Sequence, residues 1–485
     1  MPAVSADSAL RANPKEEFEK LRRLTAVKGD TKMDRIQIKD VKNYAGQEVL
    51  VKGFAENWRD GKSMAFLVLK DITGKVQVTI EKELHPDWAD ELAKITLDSV
   101  VFVTGTVQLS DFVKLNGVEI IPTSIKVDSV AAPLPIAREF IPATKKKAAV
   151  EKSSIDQRID YRWIDLRTDA NQLMFKAQTE LVRALRDFAL DRDFIEVHTP
   201  KLIGAASESG ADVFRLDYFP SYNLPNAYLA QSPQFYKQMA MASGFERYFE
   251  VGPVFRAEKS FTSKHATEFT CFDIEFSYIE SFEDVMKFEE ELLTSALKKV
   301  KEKYGEQIKE TFSTEDFDAE IIVPTTPFPR VKLADLYDAL EKEYGYTVPD
   351  EEKGDLTTEA EHLSYEWVKK HYNHEFLFIT DYSAEKRAFY HMRDENGVPQ
   401  GYDLIWRGVE ITTGAQREHR YEVLKKQAEE KGLANDVKFY LEFFKYGCPP
   451  HGGFGIGVDR LTMLLLGLPI KEAMFLFRGP ARLTP

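Results

Sequence analysis

Cysteine is nearly missing from this chain: 485 residues contain two, Cys271 and Cys448. That excludes a disulfide framework and a cysteine-rich zinc site, and it fits a reducing compartment. Long apolar runs are missing as well. The most apolar helical stretch, LTMLLLGLPI (461–470), has about half the length of a membrane span. The N-terminus, MPAVSADSALRANPKEEFEKLRR, lacks the apolar core of a signal peptide. A cytoplasmic protein without a membrane partner is expected. Positive charge is not in excess either, since the formal net charge is −14. Residues 1–137 are nearly balanced, so the remainder carries almost all of that charge. The N-terminal part can therefore offer basic stripes to a nucleic acid, though composition does not demand one.

A hydrophobic content of 43% with 30% charged residues describes a folding globular chain. Its length favours roughly two to four domains. Residues 1–32 are polar and poorly periodic, an extension that is either disordered or a short helix. Within 33–131 the runs EVLVKGFAENW, SMAFLVLKD, GKVQVTIEK, DSVVFVTGTVQL and GVEIIPTSIKV are separated by turn signals such as Asp60-Gly61 and Thr73-Gly74. Five short strands predict a small barrel, with the OB-fold as the five-stranded candidate. Residues 132–152, with prolines and the run Lys145–Lys147, read as a hinge. From 153 to 485 the chain is mixed. Helices are expected at 171–192, 282–304, 333–344 and 418–432. Strands are expected at FIEVHTP (194–200), FLFITDY (376–382), RAFYHM (387–392) and GYDLIWRGVEI (401–411). Strands clustered apart from helices argue for α+β with an antiparallel sheet, not a wound βαβ fold.

Two phosphate-loop look-alikes fail. Asp60-Gly61-Lys62-Ser63 has Glu56 where the loop's first glycine belongs, and it lies between strands. Gly453-Phe-Gly455-Ile-Gly457 has Val458 where a dinucleotide fingerprint needs glycine. What remains is GxGxGxxR, with a strand face stripped of side chains and Arg460 on the first turn of an apolar helix. A bulged strand entering a core helix would look the same.

Residues 253–278, PVFRAEKSFTSKHATEFTCFDIEFSY, place Arg256, Glu258, His265, Glu268 and Asp273 in and around a polar loop between two strand-like runs. A surface hairpin, a metal site and a polyanion cradle are all readings of this stretch. His265 and Glu268 lack further metal ligands at suitable spacing. Asp403 and Glu410 flank strand-like residues and could hold magnesium, which takes oxygen ligands. Arg417 could clamp a carboxylate, and YLAQSPQFYKQM (228–239) adds Gln234 and Lys237.

The order of these motifs resembles class II aminoacyl-tRNA synthetases of subclass IIb. FIEVHTPKL (194–202) looks like motif one, VFRAE to FDIEF like motif two, and GxGxGxxR like motif three. QSPQFYKQ, VFRAE, FDIEF and GAQREH are similar to the aspartyl enzymes, in the archaeal and eukaryotic cytosolic arrangement of OB-fold followed by catalytic domain. The resemblance implies ATP-dependent formation of aspartyl-adenylate and transfer to tRNA-Asp, with tRNA-Asn left open, in a homodimer with Pro200 at its interface. It implies Arg256, Glu258 and Arg460 as catalytic residues. His265, Phe269, Glu410, Thr413 and Gly457 would join them around ATP, and Asp403 with Glu410 would hold Mg2+. Glu208, Gln234, Lys237, Asp273 and Arg417 would bind aspartate, and Arg59, Phe66 and Gln77 the anticodon. Ser209 stands where the family usually has glycine, and the end, MFLFRGPARLTP, departs from the usual pattern. The alternatives are an asparaginyl enzyme and a non-catalytic RNA-binding relative.

Overall fold

The computed structural model describes residues 33–143, 148–205, 213–222, 224–257 and 264–485. The expected extension (1–32), Lys145–Lys147, Glu208, Ser209 and Glu258 lie outside the described residues. The chain divides into two compact units between Pro135 and Ile136.

The first unit is a barrel of β1 (Glu48–Asp60), β2 (Met64–Asp71), β3 (Gly74–Glu81), β4 (Val100–Leu109) and β5 (Val118–Ser129), closed in the order β1-β2-β3-β5-β4. Alternation explains the closure. Val49, Val51, Ala65, Leu67, Leu69, Val76, Val78, Ile80, Val101 and Val103 all turn inward and are buried together. The residues between them face out. Closing the sheet on itself leaves no unpaired edge.

In the second unit the strands are β6 (Ile195–Glu196), β7 (Leu202–Ile203), β8 (Arg215–Phe219), β9 (Leu224–Leu229), β10 (Arg247–Phe255), β11 (Glu268–Ser277), β12 (Arg330–Lys332), β13 (Phe376–Thr380), β14 (Gly401–Trp406), β15 (Val409–Arg417) and β16 (His451–Gly457). Eight of them form one sheet in the order β12-β13-β14-β15-β16-β11-β10-β6, antiparallel through its centre and parallel at both edges. Helix α1 (Asp169–Leu190) buries Leu173, Ala177, Leu181, Leu185 and Phe188, the expected helical stripe. It packs on the long helix α2 (Phe282–Phe312), which starts at a capping box of Ser281 and Asp284.

Three local expectations are corrected. Residues 401–411 are not one strand but a hairpin, β14 and β15, turning at Arg407-Gly408, where φ is 49° and 74°. Two left-handed residues are what a tight hairpin turn requires. RAFYHM is not a strand: Phe389 and Tyr390 are buried against Leu424, Tyr440 and Phe444, and only His391 bridges to Arg417. FIEVHTP contributes just Ile195 and Glu196, paired in parallel with Tyr248 and Phe249. The helix Thr358–Tyr372, which the sequence reading missed, covers one end of the sheet.

Candidate active site and nucleic-acid face

The central strands of the sheet carry a cavity of about 520 Å³. Its floor follows from the pairing of β11 with β16, which sets Cys271 opposite Gly457, Asp273 opposite Gly455 and Glu275 opposite Gly453. The alternating glycines make room for two carboxylates. A Cβ on Gly455 would lie 2.8 Å from Asp273 Oδ1, and one on Gly453 would overlap the Glu275 carboxylate and the Ile274 carbonyl. The stripped strand face thus seats charged side chains.

Those carboxylates hold two buried cations. Lys237, on the helix Gln234–Ala242, places Nζ 3.2 Å from Asp273 Oδ1 and 3.4 Å from Glu275 Oε2. Arg417, at the end of β15, donates from Nε to Glu275 Oε1 at 3.0 Å and from Nη2 to the Gly453 carbonyl at 2.7 Å. Lys237, Arg417, Asp273 and Gln234 all line the cavity. Burial by itself would push the Glu275 carboxyl up, but Arg417, Lys237 and His451 together hold it below its ordinary value.

The other end of the cavity gathers Arg256, His265, Phe269, Glu410, Thr413, Gly457 and Arg460. Arg256 leaves the end of β10 and lies with its guanidinium 5.5 Å from the Phe269 ring centre. Arg460, on the helix Val458–Leu466, donates to the Glu410 carbonyl at 2.6 Å. Burial and the nearby Asp403 push the Glu410 carboxyl up to about 7, with Arg460 opposing. Asp403 lies behind this wall. Arg387 takes both of its oxygens, at 2.9 and 2.5 Å, and the Thr413 hydroxyl donates to Oδ1 at 2.8 Å. Glu410 therefore fits a cation at the cavity, while Asp403 is already neutralised. Among the described residues no group of three or more His, Cys, Asp or Glu is arranged around a metal position.

Sequence reasoning missed four residues here. Glu275 was detectable, because it follows Asp273 by two and so shares its strand face. Arg387 was hidden in a stretch misread as a strand. Gln231 is 1% exposed and lines the cavity, yet neither atom of its amide has a hydrogen-bond partner among the described residues. His391 also lines the cavity, its Nδ1 without a partner among the described residues, and burial, with Arg417, Arg387 and Lys237 nearby, holds it well below the usual histidine value. Pro200 lies away from the cavity, its neighbours Thr199 and Lys201 both bound to Glu250.

On the barrel, Phe66 pairs across strands with Arg59 and Thr79, and Val68 with Gln77. Phe66 and Gln77 therefore share the outer face. The Arg59 guanidinium stands 5.0 Å from the Phe66 ring centre, and Gln77 Nε2 donates to Thr79 Oγ1 at 3.0 Å. An outward aromatic flanked by a cation and an amide is a platform for an unpaired base.

Residues 154–478 match the family of tRNA synthetases class II (D, K and N), and residues 49–128 match the OB-fold nucleic acid binding domain. The chain belongs to the class II aminoacyl-tRNA synthetases. This synthetase is 42% identical to the aspartate–tRNA(Asp/Asn) ligase of Methanopyrus kandleri, over 91% of its own length and 96% of that protein. It is 38% identical to the aspartate–tRNA(Asp) ligase of Thermococcus kodakarensis, covering 91% and 97%. Among solved structures, the synthetase resembles asparaginyl-tRNA synthetase from Pyrococcus horikoshii complexed with asparaginyl-adenylate. The TM-score is 0.82, with 29% identity over 93% of this chain and all of that one.

Proposed function

We propose that the protein is an aspartate–tRNA ligase, activating L-aspartate with ATP and transferring it to tRNA-Asp. The observation that carries the choice of amino acid is the convergence of Lys237 and Arg417 on the floor of one cavity. Two buried cations favour a carboxylate side chain. Asparagine would bring amide hydrogens toward them. Asp273 and Gln234, beside Lys237, supply acceptors for the substrate's ammonium, and Glu208 is assigned with them from its motif.

The reaction needs no covalent enzyme intermediate, so positioning and charge stabilisation carry it. Arg256 faces the α-phosphate, where negative charge builds as the aspartate carboxylate attacks and pyrophosphate leaves. His265 meets the outer phosphates. Phe269 and Arg460 enclose the adenine, as an aromatic face and a guanidinium, and Gly457 leaves room beside them. Glu258 is assigned to the nucleotide by its motif alone. Of the expected pair, Glu410 would hold Mg2+, whose charge would offset that of the phosphates when bound, while Asp403, already paired with Arg387, would support it from behind. In the second step the terminal ribose hydroxyl of the tRNA takes the aspartyl group from the adenylate.

Arg59, Phe66 and Gln77 read the middle anticodon base by stacking and edge contact. The protein works in the cytoplasm as a homodimer joined around Pro200, where β6 leaves the sheet edge with Ile195 exposed. Charging of tRNA-Asn beside tRNA-Asp stays open, and aminoacylation of the two transcripts decides it.

Pyrophosphate exchange with each amino acid, followed by aminoacylation of tRNA-Asp and tRNA-Asn transcripts, tests the proposal. Aspartate-dependent exchange is expected. Robust exchange with asparagine alone would make the protein an asparaginyl enzyme, and no exchange with either would leave an RNA-binding relative.

A further inference from the structure

Behind the cavity wall runs a buried polar chain that the reaction chemistry does not itself require. His451 Nδ1 lies 2.8 Å from the Pro449 carbonyl oxygen. A carbonyl only accepts, so Nδ1 carries the proton and Nε2 is bare. Gln238 Nε2 is 3.0 Å from that bare nitrogen and must donate to it. The Gln238 amide is thereby oriented, and its Oε1 points to the opposite side. There it accepts from the Tyr440 hydroxyl at 2.9 Å and from Gln234 Nε2 at 2.8 Å. Gln234 turns its NH2 toward Gln238 to make this bond, which leaves its amide oxygen on the side away from Gln238 in the cavity it lines.

Every member of the chain is shielded from water: Gln238, His451 and Tyr440 are 0% exposed and Gln234 is 4% exposed. Reversing any one amide would set two donors or two acceptors face to face in a dry interior, where an unmade hydrogen bond is costly. The direction of the whole chain is therefore set at its far end, by a backbone carbonyl that cannot donate. Burial pushes His451 down to about 4, so the ring is neutral near pH 7 and keeps one proton. The Cys448 thiol, 3.7 Å from Nδ1, is pushed up to about 12 and stays protonated.

We propose that Gln238, His451 and Tyr440 are positioning residues that lock the Gln234 amide with its oxygen toward the substrate, where it accepts a hydrogen bond from the α-ammonium of the amino acid. This rests on the aspartate reading above for the placement of that ammonium. A freely rotating glutamine would present its NH2 to a cation part of the time. A locked one keeps its oxygen in place for a cation, so the chain works as a filter for an α-amino group at a site crowded with positive side chains.

The test compares two unreactive adenylate mimics, aspartyl-sulfamoyl adenosine and its succinyl counterpart, which lacks only the amino group. Binding of each to the full-length protein is measured by calorimetry. Gln238→Met removes the acceptor for Gln234 Nε2. It is expected to lower the preference for the amino-bearing mimic about 10-fold or more while leaving the succinyl mimic's Kd unchanged. Gln238→Glu keeps an acceptor for Gln234 Nε2 and, once the His451 ring takes up a second proton to donate from Nε2, is expected to restore the preference. An unchanged preference in Gln238→Met, or equal weakening of both mimics, overturns the proposal. Should that variant not fold, 15N spectra of histidine in the unsubstituted protein decide, because a His451 protonated at Nε2 overturns the chain direction. A protein that prefers asparaginyl- over aspartyl-sulfamoyl adenosine refutes the aspartate assignment alone, since both mimics carry the same ammonium.

Discussion

Lys237 and Arg417 are joined through a single carboxylate: Glu275 lies 3.4 Å from Lys237 Nζ and 3.0 Å from Arg417 Nε, and it is fully buried. Breaking such a cluster strands buried charge, which typically costs about 3–5 kcal/mol. Glu275→Gln is expected to lose stability of that order at pH 7 in urea unfolding. L-Aspartate, whose carboxylate meets the same cations, should stabilise the variant more than the parent. The folded Glu275 carboxyl sits below its ordinary value. Its contribution is therefore present above the unfolded value and lost as pH falls through the folded one, so the two proteins should converge in acid. Equal stability at pH 7 would remove Glu275 from this role.

Gln231 poses the opposite case, a buried amide with no hydrogen-bond partner among the described residues. Gln231→Leu removes that penalty and should leave stability unchanged or raise it by about 1–3 kcal/mol. Aspartyl-adenylate formation should slow in the same variant, because Gln231 lines the same cavity as Arg256 and Lys237. A destabilised variant with normal pyrophosphate exchange would show Gln231 to be structural.

Glu289, on α2, is fully buried with the Tyr402 hydroxyl donating to it at 2.7 Å, and burial pushes its carboxyl up to about 8. The folded state thus holds a proton that the unfolded chain releases near the ordinary carboxylate value. Stability attached to this group should fall as pH rises from about 4.5 toward 8. Glu289→Gln keeps the shape and the acceptor but cannot ionise. It should match the parent near pH 5 and exceed it near pH 9, by an amount on the order of a few kcal/mol at 1.36 kcal/mol per unit. Parallel pH curves for the two proteins would contradict this.

Phe66→Ala tests the barrel. Loss of a base stack worth about 1–3 kcal/mol should raise the KM for tRNA about 10- to 100-fold. ATP–pyrophosphate exchange should stay at the parent level, since Phe66 lies in the other compact unit from the cavity. A fall in exchange would mean that the substitution damages more than anticodon reading.

Much of this protein was legible in the order of its residues. Alternation at Val76, Val78 and Ile80 predicted the barrel interior and turned Gln77 outward, because side chains alternate along any strand. The spacing of Leu173, Ala177, Leu181 and Leu185 predicted α1 for the equivalent helical reason. The motif order around Arg256, Asp273, Glu410, Arg417 and Arg460 carried the family, as each chemical group sits in a short run of recognisable type. Pairings between distant segments were settled only by the fold. Arg387 and Asp403 meet because the chain around Phe389 packs into its own apolar cluster and does not form a strand. Gln238 reaches His451 across 213 positions of sequence. Local preference records which backbone conformation a segment favours. The partner of a buried charge or amide depends on which other segment fills the neighbouring space, and only the packed structure decides that.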